Sequence, residues 1–183
     1  MNVKKGNSLI LIENGQIKSY DLDDKNTWEI GRPSKDNNPD IKLSSLLVSR
    51  RHGKLRNMDG TWFYVDYYAK NGTFLNNRHL TTGLGGRVKP VILKDGDTFV
   101  FGGGKDGVIN CKTVFGMFVT EKFDEKWKTI DSRGYENASF ILNGKETPYM
   151  KLIKGTVIKE NDGIGIYMGD LTYLIGNVEF KGR

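Results

Sequence analysis

Side chains suited to binding an anion stand at three points within the first 80 residues of this 183-residue chain. Arg32 follows one strand-like segment, Ser49 and Arg50 precede a second, and Lys70-Asn71 follows a third. A phosphate dianion presents three strong acceptor oxygens, so a site for it needs a guanidinium fork, hydroxyl donors and backbone N–H groups on rigid loops. These residues are of the types that such a site requires.

Each of these residues also has a purely structural interpretation. Arg32 could lay its methylene stem on apolar surface and keep its charge in water. Ser49 could cap a turn, and Asn71-Gly72 is a hairpin-turn sequence in its own right. The binding interpretation therefore depends on whether the fold brings the three points together.

The segments between these points predict strands. Short stretches rich in β-branched and aromatic residues are separated by turn signals such as Asn14-Gly15 and Asp59-Gly60, and no long stretch has a helical period. Together with 23 glycines, this pattern favours an all-β sandwich over alternating strands and helices. The predicted strands are Leu9–Ile12, Trp28–Ile30, His52–Arg56, Trp62–Asp66, Val91–Leu93, Thr98–Phe101, Val114–Thr120, Phe140–Leu142, Thr156–Ile158 and Leu171–Ile175.

Four motifs follow one another in a fixed order. They are Gly31-Arg32, Ser49-x-x-His52, Asn71-Gly72-Thr73-x-x-Asn76 and the run from Leu93 to Gly102, which reads Leu-x-Asp-Gly-Asp-x-Phe-x-Phe-Gly. Each is weak alone, but all four in order at these spacings resemble the forkhead-associated (FHA) domain family, in its bacterial form. The resemblance covers roughly residues 8–122, and it implies two mainly antiparallel sheets with loops at one end forming the ligand site.

The resemblance implies a non-catalytic reader of phosphothreonine in a partner protein. By that resemblance, Arg32 and Ser49 bind the phosphate directly, and Arg50 stands where a further phosphate contact is usual. Asn71 holds the backbone of the ligand peptide. Leu47 lies where the family often selects the third residue after phosphothreonine, and its apolar side chain predicts an apolar preference there.

Four other motif residues are assigned to the framework. The histidine that matches His52 is structural in the family and bonds between loops, and Thr73 belongs to the same framework. Gly31 and Gly72 are expected to let loops turn or strands pack closely.

The sequence departs from the family pattern just before Asn71. Family members usually carry Ser at the place of Ala69 and Ser or Thr at that of Lys70, where the hydroxyl often touches the phosphate. The Lys70 ammonium could contact the anion instead, or it could point to solvent.

After residue 122 about 60 residues remain, which we treat as a β-rich extension from 123 to 183. At an offset of 65, the run from Pro90 to Asp97 aligns with that from Gly155 to Asp162. The alternatives are a degenerate partial copy of the first domain and chance similarity among β sequences. Because no Gly-Arg or Ser-x-x-His precedes the second run, we expect the extension to bind no phosphate and to pack on or beside the sandwich.

Catalysis and metal binding find no support. The glycines of Gly102–Lys105 are followed by Asp106 rather than by the Ser or Thr of a phosphate loop. One cysteine, Cys111, with the scattered His52 and His79 cannot form an internal disulfide or a zinc site. We therefore predict neither an enzyme nor a cofactor.

The charge balance favours an anionic partner without identifying one. The chain carries 28 Lys and Arg against 22 Asp and Glu, a net charge of +6, but its basic residues are spread out and form no nucleic-acid stripe. No apolar run approaches a membrane span or a signal sequence. A cytoplasmic setting is expected.

Two classes of function remain open. The first is a phosphothreonine-dependent interaction module in Ser/Thr kinase signalling or complex assembly, which the motif residues favour. The second is a phosphate-independent scaffold domain, for example of a secretion apparatus, which Ala69-Lys70 and the extension favour.

Overall fold

The computed structural model describes residues 3–80, 89–135, 137–148 and 152–182. In these ranges the chain forms strands and one short 3-10 turn, Leu22–Asp24. The strands, in chain order, are β1 Val3–Glu13, β2 Gln16–Asp21, β3 Thr27–Gly31, β4 Ile41–Lys42, β5 Gly53–Met58, β6 Thr61–Asp66, β7 Thr73–Leu75, β8 Arg78–His79, β9 Val91–Ile92, β10 Thr98–Phe101, β11 Val114–Phe123, β12 Lys128–Asp131, β13 Ser139–Leu142, β14 Lys145–Pro148, β15 Thr156–Glu160, β16 Gly163–Tyr167, β17 Leu171–Gly176 and β18 Val178–Lys181.

The chain divides into two compact units. One comprises residues 6–120, and the other comprises residues 1–5 together with 121–183. The division falls within β1 and within β11, so neither strand belongs wholly to one unit.

The first unit is a β-sandwich, which confirms the predicted fold class. One sheet has the order β2-β1-β11-β10-β7-β8 and the other has the order β4-β3-β5-β6-β9. The pairings within the second of these sheets are antiparallel except for β3 with β4. Three of the predicted motifs fall at strand ends, because β3 ends at Gly31, β5 begins at Gly53 and β7 begins at Thr73.

The core of this unit lies between its two sheets. Alternate residues of each strand point inward, so Leu55 of β5 and Tyr64 of β6 meet Phe99 and Phe101 of β10. The Tyr64 and Phe99 rings make an edge contact with their centroids 5.1 Å apart. Burial of these large side chains supplies a rigid frame for the loops at the strand ends.

The second unit is also built from strands. It contains a four-stranded sheet, β12-β17-β16-β15, and a three-stranded sheet, β14-β13-β18. Its own cluster of buried side chains includes Phe140, Leu142, Leu174 and Val178. The predicted domain boundary at residue 122 and the origin of this unit as a partial copy stay predictions.

Within the described ranges, no helix has the length and apolar character needed to cross a lipid bilayer.

Candidate functional site

Three loops of the first unit meet at Ser49. The loop after β3 carries Arg32, the loop before β5 carries Ser49, and the β6–β7 loop carries Lys70. The Arg32 backbone N–H donates to the Ser49 carbonyl at 3.1 Å, and the Lys70 backbone N–H donates to the Ser49 Oγ at 3.1 Å. The structure thus brings together residues that stand up to 38 positions apart in the chain, with Ser49 as their common neighbour.

The Ser49 hydroxyl is held as an acceptor and remains able to donate. Its oxygen accepts the Lys70 N–H, and its own proton has no acceptor among the residues that the structure describes. The side chain is half-buried, so its rotation is restricted while one side stays open to solvent. A hydroxyl in this state can give its proton to an incoming anion.

The Arg32 guanidinium is anchored at one nitrogen only. Its Nε–H donates to the Val48 carbonyl at 3.2 Å, and the side chain is half-buried. The two terminal nitrogens have no hydrogen bond or ion pair to any described residue. The end of the fork that can hold two oxygens at once is therefore available for a ligand.

Gly31 allows the Arg32 and Ser49 loops to approach each other. A Cβ at this position would lie 1.9 Å from the Arg50 carbonyl oxygen, which no side chain could tolerate. Asn37 ties the same segments together, because its Nδ2 donates to the carbonyls of Arg32 at 3.2 Å and Arg50 at 2.5 Å. Sequence reasoning missed Asn37, whose surroundings indicate only a turn.

His52 links the Ser49 loop to β7 through a fully buried side chain. Its Nδ1 accepts the Ser49 backbone N–H at 3.1 Å, so the ring proton of the neutral form resides on Nε2. Nε2 lies 2.8 Å from the Thr73 Oγ1, which in turn donates to the Asp66 Oδ1 at 2.7 Å. The Tyr64 hydroxyl donates to the same carboxylate oxygen at 2.8 Å.

Burial keeps the His52 ring uncharged. Desolvation lowers the pKa of His52 from 6.5 to about 4, against the opposing attraction of the Asp66 carboxylate. Near neutral pH the ring is therefore neutral, and Nδ1 keeps the lone pair that accepts the Ser49 N–H. Asp66 and Tyr64 were not predicted as part of this network, and no local pattern in the sequence marks them.

Asn71 sits between the Ser49 loop and the β10–β11 loop. Its Nδ2 donates to the Leu47 carbonyl at 3.2 Å, and its backbone carbonyl accepts the Gly104 N–H at 2.6 Å. One amide proton and Oδ1 have no described partner, so they can still reach a ligand backbone.

Two glycines shape the same edge of the site. Gly72 has a φ of 81°, in the left-handed region, and a Cβ there would lie 2.8 Å from the Gly104 carbonyl oxygen. A Cβ on Gly102 would lie 2.8 Å from the Leu47 Cβ. The β10–β11 loop therefore forms a wall of the site, which the sequence did not indicate, and the half-buried Leu47 side chain packs against it.

Arg50 and Lys70 contribute exposed charges at the rim. Both side chains are exposed, and neither pairs with a carboxylate among the described residues. Their backbones are fixed by the contacts above. In the described part of the chain no group of three or more His, Cys, Asp or Glu residues could hold a metal ion.

Fold and site together define a class of protein: a β-sandwich that presents a guanidinium fork and a serine hydroxyl on converging loops at strand ends. Residues 28–102 match the family model of the FHA domain. This match confirms the resemblance inferred from the four motifs. FHA domains are protein–protein interaction modules, and the match indicates no catalytic family.

Three solved structures are similar to part of this chain. Full-length yeast Pml1p is similar at 20% identity, with a TM-score of 0.51 over 65% of this chain and 83% of that chain. The FHA domain of CT664 from Chlamydia trachomatis is 21% identical over 62% of this chain and 96% of that one, with a TM-score of 0.47. The N-terminal FHA domain of S. cerevisiae Rad53p, solved with a phosphothreonine peptide, is 20% identical over 63% and 93%, with a TM-score of 0.48. No curated protein matches the chain.

Proposed function

We infer that this chain is a phosphothreonine-dependent protein–protein interaction module, serving Ser/Thr kinase signalling or the assembly of a complex. One observation carries the proposal: the Arg32 backbone N–H donates to the Ser49 carbonyl, so the residue with the open guanidinium end and the residue with the free hydroxyl proton lie side by side. A bidentate guanidinium contact and a hydroxyl donor together match the oxygens of a phosphate.

The charges around this pair support the same ligand. Arg50 and Lys70 add two exposed cations, which attract a dianion and raise its rate of encounter. Asn71 offers an amide proton and an acceptor beside them, as the family resemblance requires for the ligand backbone. The cytoplasmic location expected from the sequence stays a prediction.

Calorimetric titration with a threonine-phosphorylated peptide library and its unphosphorylated twin tests the function. We expect only phosphorylated peptides to bind, and Arg32→Ala to lose about 2–4 kcal/mol of binding free energy, because two charge-assisted bonds go together. Arg133→Ala is the matched control, since this exposed arginine lies in the second unit and pairs with Asp131. Unchanged affinity in Arg32→Ala would refute the proposal.

The same titration defines the selectivity. Phosphoserine peptides should bind more weakly, because one buried methyl group contributes about 0.8 kcal/mol. If Leu47 selects the third residue after phosphothreonine, the bound peptides should be enriched in apolar residues there, and Leu47→Asp should abolish the enrichment.

A phosphate-independent scaffold is the second candidate, and Ala69-Lys70 is the feature that favours it. By the family resemblance, the position of Lys70 usually carries a hydroxyl that touches the phosphate, and this chain lacks that donor. A folded protein that binds no phosphorylated peptide in the library would establish this alternative.

A further inference from the structure

The outer face of the β4-β3-β5-β6-β9 sheet carries a row of apolar side chains beside a row of cations. Three residues of β5 and β6 point into the core: Leu55, Trp62 and Tyr64. Residues that alternate with them must therefore face outward. Four of them are Lys54 and Arg56 on β5, and Phe63 and Val65 on β6.

The strand register places these side chains next to one another. Phe63 pairs with Arg56 on one side and with Ile92 of β9 on the other, while Val65 pairs with Lys54. Phe63, Val65 and Lys54 are half-buried, Arg56 is exposed, and Ile92 is 56% exposed. We call these five residues the basic–apolar face.

The two cations of this face outnumber the one carboxylate that stands opposite them. Neither Lys54 nor Arg56 forms an ion pair with a described residue, and Glu29, which stands opposite Lys54 on β3, keeps its negative charge while it accepts a hydrogen bond from a neutral hydroxyl. Its carboxylate accepts the Tyr67 hydroxyl at 2.9 and 3.0 Å, and the Arg51 guanidinium lies 4.8 Å from the centre of the Tyr67 ring. The face therefore presents apolar surface with an excess of positive charge along one side.

We propose that the basic–apolar face docks an amphipathic helix of a partner protein whose apolar stripe is flanked on one side by acidic residues. The apolar side chains of such a helix would lie on Val65, Phe63 and Ile92, and its carboxylates would lie over Lys54 and Arg56. The face is separate from Arg32 and Ser49, so this inference does not depend on phosphate binding.

Dimensions support a helix as the occupant. The three strands β5, β6 and β9 span about 10 Å from first to last, close to the diameter of a helix with its side chains. Successive outward rows lie about 7 Å apart along a strand, close to the spacing of helical residues four apart.

Charge disfavours a second copy of this chain as the occupant, and the shortage of aromatic side chains disfavours nucleic acid. A symmetric interface between two copies of this face would place the Lys54 and Arg56 rows close to each other or against apolar surface. Of the three apolar side chains on this face only Phe63 is aromatic, whereas single-strand readers stack successive bases on several aromatic side chains.

The test is an amide chemical-shift titration of the intact chain with a blocked 18-residue peptide, about five helical turns long, with leucines at helical spacing and glutamates on one flank. We expect shifts confined to residues 53–58, 61–66 and 91–92. Arg56→Glu and, separately, Ile92→Ser should each weaken binding about tenfold, while both proteins keep a dispersed spectrum because these side chains are exposed. Lys18→Glu, which makes the same charge reversal on the other sheet, should leave binding unchanged.

Several outcomes would overturn the proposal. They are shifts centred elsewhere, equal weakening by Arg56→Glu and Lys18→Glu, equal binding of a twin peptide with lysines in place of glutamates, and no binding at about 1 mM peptide. Displacement of the peptide by a thymidine oligonucleotide, with shifts on the same strands, would assign the face to nucleic acid instead. Because the peptide carries no phosphate, each of these results is independent of the outcome at Ser49.

Discussion

At the scale of single residues, the site depends on N–H and O–H donors that have no hydrogen-bond acceptor among the described residues. Arg32 uses its Nε–H on the Val48 carbonyl, and Ser49 uses its oxygen on the Lys70 N–H. Each contact fixes one part of a side chain and points the rest outward. Pre-organisation of this kind lowers the entropy cost of binding, because the groups that hold the ligand are already ordered.

Lys70 gives a prediction at this scale. Its backbone N–H holds Ser49 whatever the side chain is, so Lys70→Thr should bind phosphothreonine peptide within about threefold of the parent. Lys70→Glu should weaken binding by about tenfold at low salt and less at high salt, because an exposed charge acts over the screening length. Titrations at two ionic strengths measure both effects.

Lys18→Glu is the control for this experiment, since it makes the same change of net charge on β2. If Lys70→Glu binds like Lys18→Glu, the Lys70 ammonium points into solvent and makes no contribution to the anion site.

At the scale of elements, the loops are held by cross-links between strands that are remote in sequence. His52, just before β5, reaches Thr73 at the start of β7, and the carboxylate of Asp66 at the end of β6 receives the chain of donors. The position of the Ser49 loop is thus coupled to the ends of three strands. Protonation of His52 should disturb the Ser49 loop, because the added proton would occupy the Nδ1 lone pair that accepts the Ser49 backbone N–H.

This coupling predicts an acid-sensitive fold. The pKa of His52 is lowered by burial to about 4, so below about 6.5 the unfolded chain takes up a proton more readily than the folded chain does. The stabilisation is complete above the unfolded pKa and is lost as pH falls. Between pH 7 and pH 5 the free energy of unfolding should fall by about 2 kcal/mol from this residue.

Urea unfolding at the two pH values, in the parent and in His52→Asn, measures the effect. The difference between pH 7 and pH 5 should largely disappear in His52→Asn and persist in His79→Gln, whose side chain is exposed. An equal pH dependence in the parent and His52→Asn would show that another group is responsible.

At the scale of the whole molecule, the chain consists of two units with separate cores. All residues placed at the candidate site belong to the unit of residues 6–120. The second unit repeats one contact of the first: Asn76 donates to the Asp97 carboxylate at 2.8 Å, and Asn143 donates to the Asp162 carboxylate at 2.7 Å. The Arg32 and Ser49 loops have no counterpart motifs there.

This division predicts the effect of removing the second unit. A chain that ends at Phe123, and so keeps all of β11, should bind phosphothreonine peptide within about twofold of the intact protein. The sequence-based expectation that residues 123–183 pack on the sandwich predicts a lower melting temperature for the shortened chain. Calorimetry and thermal unfolding of the two proteins provide the comparison.

Each result has a definite consequence. Unchanged melting would show the extension to be thermally independent, and loss of binding by a folded shortened chain would place part of the ligand site in residues 124–183.

The sequence by itself determined the all-β class, the order of the motifs and the identity of Arg32 and Ser49 as candidates. These follow from alternation, turn chemistry and residue type, which act over a few positions and can be read locally. The strands that were not predicted are β2, β4, β7, β8, β12, β14, β16 and β18. Strand β2 was missed because its residues are mostly polar and exposed, and β4 and β8 were missed because two residues carry no period.

Only the tertiary structure decided which atoms remain free to bind. The anchoring of Arg32 by Val48, the proton position on His52 and the alignment of Arg56 with Phe63 and Ile92 all join residues from different strands or loops. Such contacts depend on strand register and loop closure, which are set by packing of the whole core. A local pattern cannot encode them, because the same residues in another register would face other partners.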